Sequence, residues 1–325
     1  MWKVSGTAVQ GRNHESYGIP CQDKIFWLQD NGVTSAALAD GAGSARLSHY
    51  GAEAVCREVC AKLCRDFRSL ISLSDAGTAK REILGALVSR LEHLASEMGC
   101  YTDDLLSTLI AAAADDEYVM LLHIGDGVGA CFKNGKMSVV SFPDNGEFKN
   151  ETVFVSSHDA LPRMRLMKGR AEGISGFVLM SDGTSESFYD SREKRLIPLA
   201  DEIRHRCAAN SDDTNKSELT ALFTEVVRNT RTKDDCSIIV MYRPDESPAA
   251  DSALPAARTR RGMDNRRKFL GIFSGRECLS RAGILEEAEK LGLDHRQISG
   301  LIRDMQRKGV IEQVGRRVYR LKPKH

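Results

Sequence analysis

Aspartates recur in this sequence where strand-like runs begin or stop. Residues 35–39 lead into Asp40-Gly41, residues 117–124 into Gly125-Asp126-Gly127, and residues 176–181 into Asp182-Gly183. Asp234-Asp235 precedes the apolar run 236–242, and Asp23 stands near the N-terminus. A single Asp-Gly is a common turn former. Turn chemistry does not ask for a carboxylate again and again at the exit of a buried strand. Carboxylates gathered this way repel one another and are driven towards protonation unless cations neutralise them. Oxygen-rich groups of this kind suit Mg²⁺ or Mn²⁺. Two such ions about 3.5–4 Å apart would acidify a water and aim it at an electrophile. Glycine beside an aspartate lets the backbone come close to a metal, so that a carbonyl can serve as a further ligand. The chemistry that follows is metal-assisted hydrolysis of a phosphate ester or a similar bond.

The thiols point elsewhere. Nine cysteines, at 21, 56, 60, 64, 100, 131, 207, 236 and 278, are odd in number and include no Cys-x-x-Cys pair, which argues against a disulfide framework and a zinc ribbon. Cys56, Cys60 and Cys64 form one helical stripe that Val55, Val59, Leu63 and Phe67 extend, so they read as core rather than as metal ligands. No cysteine stands in a Cys-x₅-Arg-type loop, and Cys21 reads as a packed small residue. Free, core-packed thiols indicate a reducing compartment, and residues 1–6 carry no apolar signal core, so a cytoplasmic location is expected. No apolar run reaches the roughly 18 residues a membrane span needs, and no membrane partner is expected.

The elements that must deliver the aspartates are short strands at 35–39, 117–124, 176–181 and 236–242. Helical periods lie between them at 48–68, 79–98 and 217–230. Strands and helices do not alternate in βαβ fashion. An α+β layered domain with antiparallel sheets fits better than a doubly wound parallel sheet.

The 325 residues suit one large and one small domain. Net charge is +1 overall but unevenly spread. Residues 258–325 hold 18 Lys/Arg against 8 Asp/Glu, net +10, leaving 28 against 37, net −9, in residues 1–257. The Pro-, Ala- and Ser-rich stretch around 243–266 has no period and reads as a linker. The expected organisation is a catalytic domain at 1–243, a linker at 244–265 and a basic domain at 266–325.

The ordered set Cys21-Gln22-Asp23, Ala39-Asp40-Gly41-Ala42-Gly43-Ser44, Ser107-Thr108-Leu109, Gly125-Asp126-Gly127, Met180-Ser181-Asp182-Gly183 and Asp234-Asp235-Cys236-Ser237 resembles the metal-dependent serine/threonine protein phosphatases of the 2C type. The stretch from Gly11-Arg12-Asn13-His14 to Asp23 is most similar to their bacterial branch, and the resemblance covers roughly residues 1–243. It implies an α-β-β-α sandwich of two antiparallel sheets flanked by helices. It also implies hydrolysis of phosphoserine and phosphothreonine in proteins by water activated between two Mn²⁺ or Mg²⁺ ions, with no phospho-enzyme. Carried over position by position, Asp40 would bridge both metals, and Gly41 would lend its carbonyl. Asp182 and Asp234 would hold one ion, and Asp23 would order water at the other. Asp104, beside Asp103, matches the ligand of a loosely held third ion. Asp126 reads as turn support. The implied partners are a phosphorylated protein and a cognate Ser/Thr kinase acting in opposition. Two departures stand out. Gln22 replaces a frequent Glu, and the arginine that commonly grips the substrate phosphate is not at matching spacing, which leaves Arg12 and His14 as candidates.

After Arg266 the pattern becomes a helix near 279–291, a turn at 292–294, a second helix at 295–308 and a hairpin at 310–321 turning at Gly315-Arg316. This order resembles a winged helix. Two readings stand side by side. One is protein docking. The other is nucleic-acid binding, with the second helix in a groove and Arg316, Arg317 and Arg320 on phosphates. The alternative for the whole chain is a catalytically weak phosphatase-like sensor or scaffold acting through a DNA-binding winged helix.

Overall fold

The computed structural model describes residues 1–144, 152–229, 232–244, 272, 279–290, 298, 302–303, 305–306, 311–315 and 318–321. The chain divides into two units, Met1–Ser247 and Pro248–His325.

In the first unit, β2 (Lys24–Asp30) and β3 (Val33–Ala39) form a hairpin. Its turn residues Asn31 and Gly32 both have positive φ, 52° and 74°, as a two-residue turn that follows the strand twist requires. The register runs from Asp30↔Val33 at the turn to Lys24↔Ala39 at the open end. With β4 (Leu109–Ala114), β5 (Tyr118–Ile124) and β8 (Arg165–Arg170) it makes an antiparallel sheet in the order β2-β3-β4-β5-β8. The second antiparallel sheet, β1-β12-β9-β6-β7, joins β1 (Lys3–Val9), β12 (Cys236–Tyr242), β9 (Ile174–Met180), β6 (Val128–Lys133) and β7 (Lys136–Ser141).

Each sheet is covered on its outer face. Helices α2 (Ser48–Ser72) and α3 (Ala76–Met98) bury Val55, Val59, Leu63, Phe67, Ile83 and Leu87 against the first sheet. Helices α6 (Pro198–Ala209) and α7 (Asp212–Asn229) bury Ile203, Leu219 and Phe223 against the second. Between the sheets lies a third apolar layer that includes Leu38, Ala112, Leu121, Leu179 and Ile239. The run Leu109–Ala114 alternates its faces, with Ala111 and Ala113 towards the helices and Ala112 and Ala114 towards the other sheet. The architecture is the expected α-β-β-α sandwich. The sequence reading named four strands, and here they are joined by others that its apolar periods did not single out.

The cysteine stripe of α2 lies against the hairpin. Cys56, Cys60 and Cys64 are buried, and their S–H groups reach the carbonyls of Lys24 (3.5 Å), Phe26 (3.6 Å) and Leu28 (3.7 Å). Four residues of helix rise about 6 Å and two residues of strand about 6.6 Å, so the two rows stay in step. The far end of α2 is capped by Lys168 of β8, whose Nζ donates to the carbonyls of Leu70 (3.0 Å) and Leu73 (2.7 Å).

In the second unit, β13 (Leu279–Ser280), β14 (Ile311–Gly315) and β15 (Val318–Leu321) form an antiparallel sheet in the order β13-β15-β14, and α8 (Arg281–Lys290) follows β13. Ile284, Ala288, Ile298, Ile302, Met305, Ile311 and Tyr319 share one core. Arg320, an expected phosphate contact, pairs with Glu312 at 2.6 Å. Arg316 and Arg317, the linker from 245 onwards, and most of the expected second helix at 295–308 lie outside the described residues. Among the described residues no helix is long and apolar enough to cross a membrane.

Candidate metal centre

The hairpin β2–β3 supplies half of the site. Asp23 immediately precedes Lys24 and Asp40 immediately follows Ala39, so the two aspartates flank the last pair at the hairpin's open end. The other sheet supplies the second half. Asp182 follows β9 and Asp234-Asp235 precede β12, and these strands are antiparallel neighbours with Met180 opposite Ile238. Strand direction alone therefore brings both pairs to strand ends, one pair per sheet.

Asp40 is central. Its side chain is within hydrogen-bonding reach of both Asp23 and Asp182. Burial, and then the charges of Asp23, Asp182, Asp234 and Asp126, hold its carboxyl well above the usual carboxylate range. Burial raises Asp182 to about 7, helped by Asp126, Asp23 and Asp234, and raises Asp23 to about 6. The Asp40 backbone is fixed by Thr108, which precedes β4: the Asp40 carbonyl accepts from Thr108 N (2.8 Å), and Asp40 N donates to Thr108 Oγ1 (3.0 Å). Gly41 abuts the start of α2. A Cβ there would lie 2.8 Å from Ser48 Oγ and 2.9 Å from the Ser48 carbonyl carbon, so no side chain fits.

Strand β12 organises the rest. Ser237 Oγ donates to Asp23 Oδ2 at 2.6 Å, and Ser237 N donates to Oγ of Ser181, the residue before Asp182. Asp235 is buried and accepts from Gly11 N and Gln22 N, both at 2.6 Å, and its Oδ2 lies 2.9 Å from His14 Nδ1. Asp234 is exposed, and its Oδ1 accepts from Asp235 N at 2.9 Å. One ligand atom each from His14, Asp234 and Asp235 lies within 4.8 Å of the other two. Gly183 packs so closely on the Asp235 carbonyl that a side chain there would collide with it.

The fit to hard divalent cations rests on atoms without donors. Asp23 Oδ1 and Gln22 Oε1 are buried and accept no hydrogen bond. Buried acceptors left bare are costly. A cation among Asp23, Asp40 and Asp182 would satisfy Asp23 Oδ1 and remove the repulsion. Asp40, Asp182, Asp23 and, from the exposed side, Asp234 are thus near enough for their charges to act on one another, and they are the candidate oxygen donors.

Other expected residues are placed differently. Asp126 accepts from Thr152 Oγ1 (2.7 Å), as turn support does, yet its charge also acts on Asp40 and Asp182. Asp104 caps a short 3₁₀ turn, Thr102–Leu105, by accepting from Tyr101 N at 3.1 Å. Arg12 donates through Nη2 to the Thr232 carbonyl (2.8 Å), and His14 stands on Asp235, so both candidate phosphate contacts face the stretch before β12. Burial pushes the Cys21 thiol up, away from nucleophilic chemistry. Asp235, Ser237 and Ser181 stand inside the quoted motifs, but sequence reasoning gave them no role. The doubled acid at 234–235 was the one visible sign of the first.

Residues 10–224 match the sequence profile of the family Protein phosphatase 2C. Serine/threonine-protein phosphatase 3 of Escherichia coli (strain K12) is 27% identical over 185 residues, covering 54% of this chain and 72% of that protein. Among solved structures, a bacterial serine phosphatase superposes with a TM-score of 0.53 at 15% identity, over 76% of this chain and 100% of its own. The catalytic domain of serine threonine protein phosphatase PstP, in complex with two manganese ions, superposes at 0.50 and 17% identity, over 74% of this chain and 97% of its own. At these identities the structural likeness speaks to the fold.

Proposed function

The chain belongs to the protein phosphatase 2C family, and we propose that its acidic pocket hydrolyses phosphoserine and phosphothreonine in proteins with two divalent cations, Mn²⁺ or Mg²⁺. The observation that carries this reading is Asp40, within hydrogen-bonding reach of both Asp23 and Asp182, with its carboxyl driven up by burial and then by their charges. Asp40 would be shared by both ions, with Gly41 offering its carbonyl. Asp182 and Asp234 would complete one side and Asp23 the other, and Asp104 is the candidate for a third ion. The cations would supply neutralising charge and a water made acidic enough to attack phosphorus.

The chain's own residues do the rest. Thr108 and Gly41 fix where the Asp40 carboxylate points. Ser237 and Ser181 keep Asp23 in place. Arg12 and His14, on the short helix Arg12–Tyr17, are the candidate contacts for the substrate phosphate. A kinase that places the phosphate would be the opposing partner. The PstP structure with two manganese ions and the name of the Escherichia coli relative agree with this reading. Eight unpaired cysteines among the described residues agree with a reducing, cytoplasmic setting.

The test is release of phosphate from an aryl phosphate and from a phosphothreonine peptide. Turnover in Mn²⁺ or Mg²⁺ that EDTA abolishes is expected. Undiminished turnover in EDTA would overturn the proposal.

For the second unit we propose docking of a protein partner. A net charge of +10 over residues 258–325 also suits nucleic acid, and steeply salt-dependent binding to random duplex DNA would shift the assignment there. No turnover with any metal, together with such binding, would favour a sensor or scaffold.

A further inference from the structure

Asp235 lies next to a proposed metal ligand, yet both its oxygens face the N-terminal segment. Its side chain is 1% exposed. It gathers three groups from residues 11–22: Gly11 N, Gln22 N and His14 Nδ1. The same segment, which includes the short helix Arg12–Tyr17, is fastened twice more to the stretch before β12. Asn13 N donates to the Lys233 carbonyl (3.1 Å), and Arg12 Nη2 donates to the Thr232 carbonyl (2.8 Å). Gly11 packs on the backbone of Asp234 so closely that a Cβ there would collide with it.

The connections run onward to the other half of the pocket. The Gln22 amide bonds Asp235, while the Gln22 carbonyl accepts from Gly41 N at 3.2 Å. Gln22 also immediately precedes Asp23. One carboxylate thus links the strand end carrying Asp234 to the strand ends carrying Asp23 and Gly41, that is, one sheet to the other.

We infer that Asp235 is a positioning residue for the metal centre: it sets the separation between the Asp234 side and the Asp23–Asp40–Gly41 side by bonding Gln22 and Gly11. Resting on the metal reading above, this gives His14 a second duty, to hold Asp235 rather than only to meet phosphate. A carboxylate is needed because it accepts from two backbone amides at once while an imidazole nitrogen stands 2.9 Å away. An amide in its place offers one good acceptor and turns two donors towards other donors.

Outer-shell partners of metal ligands typically contribute about 10–100-fold in metal affinity. The experiment is calorimetric titration of metal-free full-length protein with Mn²⁺ and, separately, with Mg²⁺. Asp235→Asn is expected to bind both ions at least about tenfold more weakly than wild type. Asp115→Asn is the control. Asp115 is another buried carboxylate stapling backbone amides, those of Glu117 and Tyr118, away from the site. It is expected to lower stability and leave metal affinity unchanged. Asp235→Asn that folds and binds within twofold of wild type overturns the inference. So does an equal loss of affinity in Asp115→Asn. Should Asp235→Asn not fold, His14→Ala carries the test. A similar weakening for Mn²⁺ and Mg²⁺ supports positioning. No weakening, or one confined to Mn²⁺ as expected of a lost nitrogen ligand, overturns it. Wild-type protein that takes up neither ion removes the metal reading itself, and this inference with it.

Discussion

Asp40 and Thr108 hold each other reciprocally, the Asp40 carbonyl accepting from Thr108 N at 2.8 Å while Asp40 N donates to Thr108 Oγ1 at 3.0 Å. Thr108→Val keeps the shape and removes the hydroxyl, leaving the Asp40 N–H without its acceptor. A cost of about 1–3 kcal/mol is expected. It is read as a lower urea midpoint with an unchanged slope. A midpoint equal to wild type would show that the backbone bond alone fixes Asp40.

Asp40→Asn and Asp182→Asn should abolish Mn²⁺ uptake and lower phosphatase turnover by at least about 100-fold, beyond the usual cost of losing an outer-shell partner. The same changes should raise the thermal midpoint of the metal-free protein. At a pH where these groups are ionised, an amide at position 40 can donate to Asp23 and Asp182, where a carboxylate repels them. Variants less stable than wild type in EDTA would show that mutual repulsion does not burden the empty pocket.

Metal dependence should carry a pH signature. Asp23, Asp182 and Asp40 have pKa values in the folded chain above the ordinary carboxylate value, near 6 for Asp23 and 7 for Asp182. Between about pH 4 and 7 the metal-free folded state therefore binds more protons than the unfolded chain, and these groups take stability away as pH rises. Cations need the ionised forms. The stabilisation by a fixed Mn²⁺ concentration should accordingly grow from pH 5 to pH 8 in thermal melts. A pH-independent increment would contradict it.

His123 should act with the opposite sign. It is buried, with Nδ1 2.7 Å from Ser141 Oγ, and burial together with the Arg165 charge lowers its pKa to about 3. Unfolded histidine titrates near 6.5, so between about 6.5 and 3 the unfolded chain binds the extra proton, and stability is lost as pH falls. The difference between wild type and His123→Leu, taken at each pH in denaturant melts, should slope by up to about 1.4 kcal/mol per pH unit across that window. A flat difference would mean that His123 becomes charged within the folded protein.

Much of the site was legible because its proposed ligands sit where strands end. Apolar runs closing on Asp40-Gly41 and Asp182-Gly183, or opening after Asp234-Asp235, mark strand ends by composition alone. The antiparallel neighbours β9 and β12 then bring Asp182 and Asp234 together without further information. The strand Leu109–Ala114 was harder to see, because alanine favours helix and carries no strand period. It becomes a strand because two layers pack against its small side chains. Asp235 stayed hidden for a different reason. Its partners are backbone amides more than 200 positions away, and backbone groups leave no trace in residue type. Arg12 and His14 show the reverse. Their types suit phosphate, but the fold ties both to neighbouring segments first.

The two-residue turn at Asn31-Gly32 bears on the order of folding. Only 17 positions separate Asp23 from Asp40, and closing so short a hairpin takes microseconds. Asp182 and Asp234 arrive with β9 and β12, through pairings that span most of the domain and form late. One half of the pocket is thus assembled locally, while the other waits for the second sheet. An ion that needs both halves gains its ligands after the rate-limiting step. In stopped-flow measurements Mn²⁺ should therefore slow unfolding and leave the refolding rate nearly untouched.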